Sequence, residues 1–442
     1  MSLHRHPRWS AARLAAVLVG VVALVATSCS SGGGGQAASS GGTGPINTNE
    51  DVKGQTITVL LPSWGELPKE LVQQFEQQSG VTVKLNIAEW DAIRNKISIA
   101  GAANSQLADV IEFDWSWTGQ YGRAGWFVPL EQYLGPSQLP DMTNNSTFSV
   151  NGHLYGACYN NDFRMFQYNK KDFAKAGISS SPTTFDELHA DLVTLKQKGV
   201  KQYPLGWPLE PMEDNPQAWY LLILAMGGQL FDAGNQPQFT DPSSAGYKAL
   251  DFLVSAYKDG LIEPGAVSMS NDAQGAWWRA GNASVTYAAP SDFVTNEDPK
   301  QSKIVGQTGP FLVPGVSGPG NSYGLPEALA IMRSSQHKAA ALAFIKWWMD
   351  PATQTQIYDK LGLYPCRSSV FQSLVKQGKL RGGDVMLQEL KHIVPLFPQG
   401  APTWYTQFST EAASQINAAA KGNVTVADAL TRLAAKAKDL AG

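Results

Sequence analysis

A chain of 442 residues, 43% of them hydrophobic, is long enough for two domains of ordinary size and apolar enough to give each a core. Its 34 basic and 37 acidic side chains leave a formal charge of −3. That balance excludes the basic surface demanded by nucleic acid or by an anionic membrane.

The first thirteen residues carry Arg5, Arg8 and Arg13 and no acid, and residues 14–26 form an apolar run. Thr27, Ser28 and Cys29 follow. A basic start, a short apolar stretch and small exit residues mark an export signal. The run falls short of the roughly 20 residues that a membrane-spanning helix needs. Its exit resembles a bacterial lipoprotein signal, in which the cysteine is lipidated and becomes the mature N-terminus, although Ala26 stands where that pattern prefers leucine. Residues 1–28 are therefore expected to be removed. Residues 29–51, rich in Gly and Ser, are expected to be a flexible tether from lipidated Cys29. The mature chain would carry 31 basic and 37 acidic side chains. Its expected place is the extracytoplasmic face of the cell membrane.

Beyond the tether, residues 55–61 (TITVLL at their end) read as a strand. Residues 67–78 read as a helix with an apolar face at 67, 71, 72 and 75, and 81–88 as an alternating strand. A helix over 91–100 and a strand over 108–113 complete a β-α-β-α-β order, which predicts a largely parallel sheet covered by helices. Strands are expected near 152–156 and 163–169, and a helix over 185–198 presents Phe185, Leu188, Leu192 and Leu195. Further helices are expected at 217–225, 242–258 and 272–280, with strands at 283–288, 303–310 and 328–332. A helix over 337–349 ends near Pro351. Short helices at 369–376 and 385–391 follow. The chain closes with Ala-rich helices over 406–421 and 425–437, the latter capped by Thr425.

Catalytic motifs are missing. The sequence has no HExxH, no P-loop and no GxSxG elbow. The four histidines beyond the signal are not spaced with Cys, Asp or each other as metal ligands, so no metal or other cofactor is expected. Cys158 and Cys366 form either a disulfide, given the oxidising compartment, or two buried thiols. The informative excess is aromatic, with 13 Trp and 14 Tyr, many in polar or Gly- and Pro-rich surroundings. Aromatic faces in a groove suit the flat apolar faces of sugars. A pair such as Glu66 and Asp114 could instead serve a glycosidase or accept hydrogen bonds from sugar hydroxyls.

Three stretches are more specific. ADVIEFDWSWTGQYGRAGWFVPL (108–130), the 151–190 segment with its YNK…F…AGI…P.TFDEL pattern, and GLPEALAIMRSSQHKAAALAFIKWWMDP (324–351) resemble bacterial extracellular solute-binding proteins of family 1. These are the maltose-binding-like receptors of sugar importers. The resemblance covers nearly the whole mature chain. It implies an α/β fold of the type II periplasmic-binding class, two lobes joined by three crossovers, and a ligand cleft between them. It also implies a non-catalytic, monomeric receptor, and the aromatic richness favours a neutral di- or oligosaccharide as its solute. Its partners would be an ABC permease and a separate ATPase. Receptors for polyols and a glycerophosphodiester belong to the same family. On this pattern lobe 1 comprises 52–158 and 288–322, and lobe 2 comprises 159–287 and 323–442. The crossovers are then expected near 158–161, 284–288 and 322–325.

Ligands of open sheets sit beyond the strand ends. That rule selects Ser63, Trp64 and Glu66 after the first strand, and Asp114 and Trp115 after the third. The first crossover offers Asn160 or Asn161, with Asn161 preferred. Lobe 2 offers Trp207, Glu210, Trp277 and Trp278, and Ser291 and Asp292 follow the strand at 283–288. Tyr323 is expected at the third crossover, and Arg367, Trp404 and Tyr405 in late loops. Asp and Glu would accept from hydroxyl pairs, Arg would donate, and Trp and Tyr would cover apolar sugar faces.

Overall fold

A computed structural model describes residues 45–135, 138–397 and 400–442. The signal, Cys29 and most of the tether lie outside these. The first sheet runs in the order Thr82–Ile87, Thr56–Leu61, Val110–Asp114, Glu327–Ile331, Ala157–Asn160. Its first three strands are parallel, as the β-α-β-α-β order predicts. Glu327–Ile331 lies antiparallel to both of its neighbours. The five residues of Val110–Asp114 and the five of Glu327–Ile331 are all buried, as central strands covered on both faces must be. The register sets Glu327 opposite Asp114 on one side and Asn160 on the other, with a bulge between Glu327 and Ala328. Three polar side chains are thereby delivered to one end of an apolar sheet.

The second sheet runs Thr308–Phe311, Met165–Asn169, Val285–Ala288, Leu205–Gly206. Thr184 caps the Phe185–Gln197 helix in a reciprocal box with Glu187, and Phe185, Leu188, Leu192 and Leu195 are all buried on it. Asp214–Ala225 is buried along nearly its whole length. The helix Tyr405–Ala420 packs against it and against Ala245–Lys258, and Val426–Ala441 packs against Tyr405–Ala420 and Ala245–Lys258. Thr425 caps the last helix through the backbone N–H of Asp428.

The strand pairing redraws the lobe boundaries. Thr308–Phe311, expected in lobe 1, pairs with Met165–Asn169 in the second sheet. Glu327–Ile331, expected in lobe 2, is central in the first. The helix after it, Lys338–Trp348, covers that sheet, with Phe344 edge-on to Phe75 at 5.1 Å. A strand buried on both faces needs a partner on each side, and only the first sheet offers Glu327–Ile331 that place. The residues near 284–288 are accordingly an interior strand of lobe 2 and not a crossover. The chain passes between the sheets at 161–164 and 324–326, and returns to the lobe 2 helices between 362 and 404. A separate small core containing Phe163, Met165, Tyr364, Val370 and Leu374 sits at these passages. Away from them the lobes also touch. A Cβ added at Gly119 would fall 2.2 Å from the carbonyl oxygen of Ala401. Among the described residues, no helix is long and apolar enough to cross a membrane.

Cys158 and Cys366 are joined by a disulfide across 208 residues, with Cα atoms 5.7 Å apart. The bridge links the strand entering the first passage to the segment that begins the third. Closing so long a loop restricts the unfolded chain. Replacing both cysteines by Ala is expected to cost about 2–4 kcal/mol, measured by urea unfolding. Reductant should shift the parent protein's midpoint but leave that of the double variant unmoved.

Candidate functional site

The carboxyl ends of the parallel strands and the start of Glu327–Ile331 meet at one edge of the first sheet. Leu61 leads into Ser63 and Trp64, Ile87 into Glu89, Trp90 and Asp91, and the other strands bring Asp114, Asn160 and Glu327. Trp64 Nε1 donates to Glu327 Oε1 at 2.8 Å, and Asn160 Nδ2 donates to Glu327 Oε2 at 2.8 Å. The indole is thus fixed by a carboxylate that the bulged strand places beneath it. Asp114 Oδ1 accepts from the backbone N–H and the hydroxyl of Ser116, at 2.8 and 2.5 Å. Two residues inward, Glu112 Oε2 accepts from the Tyr159 hydroxyl at 2.7 Å.

Oxygens of Glu112, Asp114 and Glu327 lie within 4.8 Å of one another, close enough to converge on one ion. Burial pushes Glu112 and Glu327 well above the usual carboxylate range, with repulsion from Glu327 added at Glu112 and from Asp162 and Asp114 at Glu327. Burial also pushes Asp114 up to about 6, against the opposing Ser116 hydrogen bonds.

Lobe 2 supplies the facing wall. Tyr287 ends its strand with Ala288, and Ser291 and Asp292 follow. Asp292 Oδ2 holds the backbone N–H of Ala289 at 2.8 Å. Glu213 and Asp214 stand where the Asp214–Ala225 helix begins, and Asn271 and Asp272 open the Asn271–Arg279 helix. At the first passage Arg164 pairs with Asp162 and donates from Nε to the Tyr287 hydroxyl at 2.9 Å. Burial opposes its charge, but Asp162 and its other neighbours hold the guanidinium firmly protonated. The Ser63 hydroxyl reaches Asp272 Oδ2 across the gap at 3.5 Å.

These walls enclose an outer chamber of about 750 Å³ and an adjoining inner recess of about 50 Å³. Trp64, Asp162, Arg164, Asp214 and Glu327 border both. A chamber of that size and mixed lining fits a small-molecule site.

Of the residues selected by sequence, Trp64 borders both spaces, Glu66, Ser291 and Asp292 line the chamber, and Asp114 lines the recess. Asn160 lines the chamber in place of Asn161, whose side chain accepts instead from Asn144 at 2.8 Å. Trp115 is buried against Phe397 and Tyr405. Trp207 is core between Phe166 and Tyr287. Trp278 is buried and donates to Asn296, and Trp277 packs beside that cluster. Tyr323 is fully buried and donates to the carbonyl of Gln217. Arg367 ties loops together through Asp141 at 2.8 Å. Trp404 packs on Phe231 and Phe408. Tyr405 supports the site from behind by donating to Glu213 Oε1 at 2.6 Å. Glu210 does not line the cleft, although its charge helps to raise the pKa of Glu89.

Sequence reading missed Trp90, Asp162, Arg164, Asp214, Asp272, Tyr287 and Glu327. Signals existed for some of them. The strand-end rule applied to the second strand reaches Trp90, and a lone Glu before an apolar strand marks Glu327.

A model of the bacterial extracellular solute-binding protein family matches residues 61–355. The mannitol-binding protein of Pseudomonas aeruginosa is 26% identical over 345 residues, covering 75% of this chain and 77% of its own. A solute-binding protein of Agrobacterium radiobacter K84 in complex with ribitol superposes with a TM-score of 0.80 at 21% identity, covering 88% of this chain and 100% of its own. Maltose-bound MalE3 of T. maritima superposes with a TM-score of 0.78 at 21% identity, covering 87% and 99%. Their shared architecture is the type II periplasmic-binding fold.

Burial pushes Glu213 up to about 8, partly offset by the Tyr405 hydrogen bond. Because folding raises this pKa from 4.5, the stability of its neutral form is full below about 4.5 and is lost as pH rises through about 8. Glu213→Gln, which keeps the acceptor for Tyr405, should remove one proton from that linkage. Denaturation followed from pH 5 to 8 should show a pH slope of stability shallower by about 1.4 kcal/mol per unit.

Proposed function

From the premise that the chain belongs to the bacterial extracellular solute-binding protein family, we propose that it is the receptor of an importer for a carbohydrate or polyol. The solute enters between the lobes and is handed to a membrane permease driven by a separate ATPase. Acylated Cys29 and the tether behind it hold the receptor, a monomer, at the outer face of the membrane. More than one acyl chain would make that hold firm.

The observation that carries the solute class is the Glu327-anchored indole of Trp64 facing a chamber ringed by hydrogen-bonding groups. An apolar ring face and a polar rim are what a sugar presents in complement. The mannitol, ribitol and maltose named for the relatives fall in the same class. A glycan-cleaving reading needs a free acid and a free base across the cleft. Glu327 and Asp114 already accept hydrogen bonds from Trp64, Asn160 and Ser116, which favours fixed acceptor roles.

A thermal-shift panel of mono-, di- and oligosaccharides and polyols tests the reading, since a solute that binds only the folded form raises the melting temperature. For the solute that responds, Trp64→Ala should weaken binding at least tenfold, or about 1.4 kcal/mol. Trp404→Ala, a core truncation, should cost about 3 kcal/mol of stability and leave the dissociation constant within twofold. Mass spectrometry should recover the solute intact. Cleaved solute would overturn the receptor reading.

A further inference from the structure

The inner recess is lined by carboxylates out of proportion to its cations. Glu89, Asp114, Glu213, Asp214, Asp272 and Glu327 all border it, and Arg164 is its one cation among the described residues. Arg164 is already engaged by Asp162. Several of the carboxylates are engaged as well. Glu327, Asp114 and Glu213 accept hydrogen bonds from Trp64, Ser116 and Tyr405. Three are not so served. Among the described residues, the side chains of Asp214 and Glu89 have no hydrogen-bond partner, and that of Asp272 has only the long contact from Ser63 at 3.5 Å. After the larger effect of burial, the charge of Asp272 raises Glu89; at Asp214 burial is again the largest cause, Arg164 opposes it, and Asp91 and Asp272 add to it.

An ionised carboxylate only accepts hydrogen bonds. A recess walled by unserved acceptors asks for a group that only donates and that brings positive charge. A sugar hydroxyl supplies one donor and leaves its lone pairs facing carboxylates. A phosphate or carboxylate on the solute would add like charge and is excluded from the recess. An ammonium group supplies three donors and the missing charge. Its size matches a space of about 50 Å³, which is too small for a sugar ring, whereas the chamber of about 750 Å³ has room for one or more rings. The Trp64 indole borders both spaces and offers a cation an aromatic face.

We infer that the solute carries a protonated amine, which enters the recess between Glu89, Asp214 and Asp272 while its hydroxylated remainder occupies the outer chamber. This rests on the reading of the cleft as a carbohydrate site, and it replaces the neutral solute expected from sequence with an amine-bearing one.

The test is calorimetry on the full protein at pH 6.5 with matched solutes. Glucose, glucosamine, N-acetylglucosamine and glucose 6-phosphate form one series, and the same replacements on a disaccharide and on a polyol form others. In the series that binds, the amine is expected to bind at least tenfold tighter than the hydroxyl parent. The N-acetyl form, which loses the charge, should lose that gain, and the phosphate should not bind. Asp214→Asn, which breaks no hydrogen bond among the described residues, should cut the preference for the amine over the hydroxyl parent at least fivefold. Equal or tighter binding of the hydroxyl parent overturns the amine and leaves the receptor reading intact. If Ca²⁺ or Mg²⁺ tightens the hydroxyl parent tenfold, and Asp214→Asn abolishes that effect, the recess is a cation site and the amine is overturned. If no sugar or polyol in any form binds, the carbohydrate reading fails, and this inference with it.

Discussion

Everything at the cleft depends on keeping buried carboxylates satisfied at the end of an apolar sheet. Glu327 is the centre of that constraint. It sits among buried apolar residues on the central strand, yet both of its oxygens are used, one by the Trp64 indole and one by the Asn160 amide. An unserved polar group there would cost about 1–3 kcal/mol. The strand can afford Glu327 only because the loop after the first strand and the end of the last strand both reach it. In turn, Trp64 has its ring orientation set by a hydrogen bond rather than by packing alone. A site residue on a loop is thereby positioned by a rigid strand, which is the arrangement that preserves a binding geometry.

The order of strands and helices in the first lobe was legible because its periodicities are clean and its connections short. Trp64 and Asp114 followed from the same logic, since both lie just past parallel strand ends. The aromatics that sequence offered further along were placed by a weaker argument, that a Trp in polar surroundings faces solvent or solute. Trp207 and Trp404 refute it, and Tyr323 and Tyr405, placed by their crossover and late loop, are buried as well. Each is surrounded in sequence by polar or Pro residues and in space by other rings or by a buried acceptor. One-dimensional neighbours say little about burial in short irregular segments. The groups that line the cleft, Arg164, Asp214 and Asp272, are small in sequence signal because their significance comes from convergence across hundreds of residues.

The lobe boundaries failed for a related reason. A run such as EALAI reads as a buried strand, but its partner is a matter of topology. Assigning the 288–322 segment to the first lobe treated a strand of the second sheet as a crossover. Yet Val285–Ala288 is hydrogen-bonded on both sides within that sheet. The real passages are short and polar at 161–164, and Gly- and Pro-containing at 324–326. Those compositions tolerate a change of backbone angles better than a strand interior does.

Arg164 connects these two themes. It lies in the first passage, pairs with Asp162 in the same segment, donates to Tyr287 at the end of a lobe 2 strand, and borders both the chamber and the recess. A solute can shift the balance between open and closed lobes only through contacts that differ between the two. A cation at the hinge, partnered within its own segment and to one lobe, is a fixed reference from which such differences arise. Glu89 of the first lobe and Asp272 of the second repel each other across the gap with the recess empty, and a donor-rich solute relieves that repulsion. The excess of negative charge thus acts twice. It selects what enters the recess, and it opposes closure until something has entered.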